Sequence, residues 1–141
     1  METPPLPQRR SIGRKVLAGV FLLLALSAWW QVVGDLLDRS NEPLILTGLQ
    51  LIIGAVAMAA ARGAWIGARW APHFALLYGV IAGAMVAALG HLLNLPAEAR
   101  QGLWTGGAIV FLFGLVTAWW LRSTLRRERA RAAASHIVGF D

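Results

Sequence analysis

The chain has 141 residues, of which 57% are hydrophobic and 14% charged, with a mean hydropathy of +0.60 and a formal net charge of +6. Soluble domains run at ~45–50% apolar and ~25% charged, so this chain has too little polar sequence to cover a water-soluble surface and too much apolar sequence to stay disordered. The absence of cysteine removes disulfides, thiolate metal sites, iron–sulfur clusters and cysteine nucleophiles together.

The first apolar run is Val16 to Val33, interrupted only by Ser27 and Gln31, and predicts a helix over about 14–37. Arg9 and Arg10 followed by Ala25-Leu26-Ser27 resemble a cleavable leader. The apolar stretch continues through Trp29, Trp30, Val32 and Val33, however, and becomes long enough to span, so a retained helix is expected. The second run, Leu44 to Ala61 with Thr47 and Gln50, predicts a helix over about 43–63. The third, Phe74 to Leu95 with Tyr78, His91 and Asn94, predicts one over about 72–95. The fourth, Leu103 to Leu121 with Thr105 and Thr117, predicts one over about 102–124, followed by a basic tail, 122–141, whose Arg- and Ala-rich part, Arg122 to Ala134, is expected to carry the helix on. No run holds a formal charge in its interior. Each is close to the ~20 residues that cross ~30 Å of hydrocarbon at ~1.5 Å per residue. Strands of a membrane barrel would alternate in polarity, and these runs do not.

The connections Gly34–Pro43, Arg62–Pro72 and Pro96–Gly102 are short and each contains or ends on proline or glycine. Short connections force sequential helices to lie antiparallel. The expected fold is therefore all-α: a single transmembrane domain over 1–141, built as an up-down-up-down four-helix bundle.

Lys and Arg set the expected orientation. Eleven of the thirteen fall in the N-terminal segment, the Arg62–Pro72 connection and the C-terminal tail, leaving only Arg39 and Arg100 for the other side. The positive-inside rule then puts both termini in the cytoplasm. Trp65, Trp70, Trp119 and Trp120 fall at the same inner interface and Trp104 at the outer one, as indole rings prefer. Trp29 and Trp30 sit deeper, between helices or against lipid. The abundance of alanine and arginine with a single lysine suggests a bacterial inner (cytoplasmic) membrane. Basic residues placed this way are explained by the bilayer, and no nucleic-acid partner is expected.

Three groups of residues invite a functional reading. Ala75, Gly79, Gly83 and Ala87 recur every fourth residue, which aligns them on one helix face and lets another backbone approach. Packing inside the bundle is the simpler expectation, with Ala55, Ala59 and Gly63 of the second helix as the matching stripe; a homodimer seam is the alternative. Gln31, Asp35, Thr47, Gln50, His91, Asn94 and Thr105 all fall in the outer parts of the four predicted helices, with Ser27 on the same face as Gln31 and Asp35. Polar side chains are costly against lipid and bond across helices instead, so an outer polar vestibule is expected as the place where a ligand would bind. His91 alone lacks a second His or a Cys at its depth, since His73 lies ~27 Å away along the helix, and neither a haem nor a metal is expected. Five Arg of the tail, Arg122, Arg126, Arg127, Arg129 and Arg131, are suited to anionic lipid as well as to anchoring.

No GxSxG, phosphate-loop or HExxH motif occurs, no catalytic residue is singled out, and no charge lies in mid-membrane, where coupled transporters usually keep one. No motif points to a family. The expected role is a small non-enzymatic membrane protein without a cofactor, an accessory or assembly subunit of a larger membrane complex. Two other readings stay open: an oligomeric small transporter or channel, and a quinone- or lipid-binding enzyme subunit with a pocket in the outer half.

Overall fold

The computed structural model describes residues 12–37 and 44–137, and these form four α-helices: α1 (Ile12–Leu37), α2 (Leu44–Ile66), α3 (Ala71–Leu92) and α4 (Ala97–Ile137). All four are long and apolar enough to cross a membrane. The chain has the make-up of a small multi-pass membrane protein.

The helix ends follow local chemistry more than the edges of the apolar runs. α2 continues past 63 and stops where Gly67 turns left-handed at φ 74°, with the Ala68 N–H donating to the Gly63 carbonyl at 2.9 Å. This is a Schellman closure, which glycine adopts without a steric cost. Pro72 then sits in the first turn of α3, where its missing N–H is not needed. α3 ends at Leu92, short of 95, because Asn94 adopts φ 51° and the Leu95 N–H closes back on the Gly90 carbonyl at 3.1 Å. Asparagine is the residue after glycine that tolerates this conformation. α4 starts at Ala97, directly after Pro96, and runs through the basic segment to Ile137. It starts earlier than the expected 102, and it continues past 124 as its Arg- and Ala-rich tail leads one to expect, both residues being strong helix formers.

α3 packs most extensively on α4, and α1 on α2; the contact of α2 with α3 joins the two pairs. Residues late in α3 meet residues early in α4, with Gly79 opposite Gly114, Gly83 opposite Gly107 and Gly90 opposite Arg100. The small-residue stripe of α3 is thus occupied by α4 of the same chain and not by α2. A Cβ built at Gly79 would lie 2.8 Å from the Gly114 Cα, and one at Gly114 would lie 2.5 Å from the Gly79 Cα. Without side chains in between, the two backbones touch, and dispersion contacts accumulate that lipid cannot replace. Gly63 meets Trp70 and Ala71 at the α2–α3 turn instead.

α1 reaches α4 through long side chains. Phe21, fully buried, meets the Tyr78 ring edge-on at 5.5 Å and the Phe113 ring at 6.0 Å, so α1, α3 and α4 share one aromatic centre. Around it α2 and α3 present Ala57, Ala60, Ala64, Ala71 and Ala75, all fully buried. Trp29 is half-buried over Gly54, in the space a side chain there would fill, whereas its neighbour Trp30 is 79% exposed. One of the two deep tryptophans therefore packs between helices and the other faces outward.

Candidate functional site

Gln31, Asp35, Thr47, Gln50, His91, Asn94 and Thr105 lie toward the end of the bundle away from the Gly67 turn. They assemble as two pairs, one on each helix pair. Gln50 of α2 donates from Nε2 to Gln31 Oε1 of α1 at 3.3 Å. Trp104 Nε1 of α4 donates to His91 Nε2 of α3 at 3.4 Å, the rings standing almost perpendicular with centroids 6.2 Å apart. Both bonds are longer than the ~2.9–3.0 Å of a strong N–H donor bond. Asp35 and Thr47 are half-buried on the α1–α2 side. Thr105 and Ser27 each donate to a carbonyl of their own helix, Gln101 at 3.0 Å and Leu24 at 2.9 Å. Among the described residues, no hydrogen bond links the Gln31–Gln50 pair to the His91–Trp104 pair, and Gln31, His91, Asn94 and Thr105 are exposed.

Asn94 has a defined structural task, since its left-handed backbone ends α3. Asn94→Gly is expected to leave stability unchanged or raise it, and Asn94→Val to lower it by ~1–2 kcal/mol, the cost of a left-handed backbone at a β-branched residue without asparagine's local hydrogen bonding. Thermal unfolding in mild detergent reads the difference. Equal losses for the two variants would point to the amide side chain and not to the turn.

The opposite end, which carries the Gly67 turn, is built from basic residues. Arg14 begins on the first turn of α1, yet only 7% of it is exposed. Its guanidinium lies over Gly67, in the space a Cβ there would occupy, and Nη1 contacts Glu128 Oε2 of α4 at 3.2 Å. One side chain therefore ties α1, the α2–α3 turn and α4 together. Trp120 adds to this closure by packing on Gly13, where a Cβ would come within 2.8 Å of its ring.

At this end a groove of about 170 Å³ also opens between α4 and the N-terminus of α3. Arg69, His73, Arg122, Arg126 and Arg129 line it over Pro72 and Leu125. A second, larger depression of about 410 Å³ shares Arg122 and Arg126 with it and extends along Trp119, Ser123 and Arg127. Among the described residues no three His, Asp or Glu side chains gather into a metal-binding group.

Sequence reasoning missed both features of this end. Arg14 counts there as one more tail cation, although Glu128, a lone carboxylate in an arginine-rich stretch, signals a specific cationic partner. The groove was also traceable in part. Arg122, Leu125, Arg126 and Arg129 are spaced to share a helix face, but their convergence with Arg69 depends on how α3 meets α4.

Compared with protein-family models, curated proteins and solved structures, the chain matches none.

Proposed function

We propose that the protein is a non-enzymatic subunit of the bacterial inner membrane that accompanies or helps assemble a larger membrane complex. In this reading the four helices cross in up-down-up-down order with both termini cytoplasmic, so that the basic end faces the cytoplasm and the Gln31–Gln50 and His91–Trp104 pairs face outward. One observation carries the proposal. The interior is filled by alanine and aromatic packing around Phe21 while the flanks stay open, with only 17% of the most apolar window of α4 buried within the chain. A filled centre favours a role at the flanks over a pathway through one chain. A broad apolar flank is where lipid or a partner helix packs.

The orientation has a direct check. Reporter fusions at residue 40 and near residue 98 are expected on the outer side, and fusions near residue 66 and at the C-terminus on the cytoplasmic side; a periplasmic C-terminus overturns the charge argument. For the role, a tagged full chain purified from native membrane in mild detergent is expected to run with other membrane proteins at a fixed stoichiometry through size exclusion. A chain that runs only with copies of itself, and that conducts ions or solutes when reconstituted in liposomes, overturns the accessory reading in favour of a channel or transporter.

A further inference from the structure

The exposed ladder Leu112, Leu115 and Trp119 of α4 continues past the end of the apolar run as Arg122, Arg126 and Arg129. Steps of three and four residues hold these side chains on one face. At the top of that ladder the groove adds Arg69 from the α2–α3 connection and His73 from the first turn of α3, where the helix dipole contributes further positive potential. Four arginines, Arg69, Arg122, Arg126 and Arg129, thus line one space of about 170 Å³.

Like charges one helical turn apart repel. Among the described residues the carboxylate available at this end is Glu128, and it is engaged with Arg14. The groove is therefore an anion site in its charge balance. Guanidinium groups suit phosphate oxygens through paired N–H donors, and the volume holds a phosphate ester with a few waters at ~30 Å³ each. The apolar ladder directly beneath, ending on Trp119 at 69% exposure, distinguishes a lipid from a soluble anion, because tryptophan marks the headgroup boundary and the ladder offers a track for acyl chains.

We propose that this groove binds the phosphate of an anionic phospholipid, its headgroup held by Arg69, Arg122, Arg126 and Arg129 and its chains lying along Leu112, Leu115 and Trp119. The proposal rests on the membrane-spanning reading above but on no particular partner complex. Insertion is read separately by the reporter fusions, so failure of one is distinguishable from failure of the other.

The test is the thermal midpoint of the purified full chain in mild detergent, titrated with dioctanoyl phosphatidylglycerol. Dioctanoyl phosphatidylcholine, inorganic phosphate and a polyglutamate peptide serve as comparison probes. Phosphatidylglycerol is expected to raise the midpoint saturably while the other three leave it in place. Arg69→Gln and Arg126→Gln, both at exposed positions, are each expected to raise the half-saturating lipid concentration about fivefold, which converts from ~1 kcal/mol per Arg near an anionic surface. Arg131→Gln removes the same charge outside the groove and is expected to shift it less than ~twofold, since unlike the groove arginines it adds only long-range potential. Equal shifts for Arg131→Gln and Arg126→Gln would reduce the effect to general surface charge and overturn the site. Matching stabilisation by inorganic phosphate or by polyglutamate would overturn the lipid assignment in favour of a soluble anion or an acidic protein segment.

Discussion

Gly114→Ala lowers the thermal midpoint of the detergent-purified protein, and Gly79→Leu or Gly83→Leu prevents a stable fold. Gly107, whose Cβ would lie 2.5 Å from the Gly83 carbonyl oxygen, belongs to the same sensitive set. At Gly79 and Gly114 a new Cβ meets the Cα of the facing glycine at 2.8 and 2.5 Å, and at Gly83 it meets the Gly107 carbonyl oxygen at 2.7 Å. The obstacle is backbone in each case, so no rotamer change relieves it and α3 and α4 must separate. Overpacking of this kind costs ~1–3 kcal/mol for added methylenes, and a leucine exceeds what the contact can absorb. Gly19→Ala and Gly48→Ala supply the contrast, because nothing lies within 4 Å of a Cβ at either position. There the better helix propensity of alanine, ~1 kcal/mol over glycine, leaves the midpoint unchanged or raises it. Equal midpoints for Gly114→Ala and Gly48→Ala would show that the two helices do not touch at this crossing. Since α4 occupies the stripe, a dimer of this protein would have to use another face.

Arg14→Ala is expected to loosen the basic end of the bundle, with a stability loss of ~1–3 kcal/mol. Breaking a fully buried ion pair costs ~3–5 kcal/mol. The Glu128 side chain is 33% exposed, so solvent screens part of that loss. Glu128→Ala should also lower stability, and the double variant should lose less than the sum of the two single losses, because both single changes remove the same Arg14–Glu128 contact. Gly67→Ala should act on the same contact from a third direction. It forces a side chain into the left-handed backbone at φ 74° and into the space held by the Arg14 guanidinium, at a backbone cost of ~1–2 kcal/mol. Additive losses for Arg14→Ala and Glu128→Ala would show that the two side chains act independently.

These two predictions mark different degrees of legibility in the sequence. The Gly79-x-x-x-Gly83 spacing, within a stripe that begins at Ala75 and continues to Ala87, is enough to identify a face suited to close packing. The partner cannot be read the same way. Ala55, Ala59 and Gly63 repeat at the same interval in α2, while the residues that meet the stripe, Gly107 and Gly114, are seven apart and straddle Phe111. Periodicity on one helix says which face is small and nothing about which neighbour fits it. Arg14 illustrates the same limit for charge. A residue two positions into α1 is indistinguishable from a solvated tail cation until α4 runs on far enough to bring Glu128 beside it.

The polar residues at the opposite end divide along the same line. Their depth follows from counting residues, and the sequence places Gln31, Gln50, His91 and Trp104 toward one end of their helices. Their grouping does not follow from counting. α1 packs on α2 and α3 on α4, so Gln50 pairs with Gln31 and Trp104 with His91, and Asn94 is drawn into ending a helix.

The number of spans, their apolar character and the three connections are all written in the order of the amino acids, because hydrocarbon thickness sets the length of each run and proline, glycine and asparagine mark where a helix must stop. Three outcomes belong instead to the packed bundle: α3 takes α4 as its close partner, Arg14 joins the interior, and Arg69 meets Arg122, Arg126 and Arg129 around one groove. They depend on which surfaces fit at van der Waals distance and which charges meet, and such pairwise geometry is spread over residues from Arg14 to Arg129 that no local pattern connects.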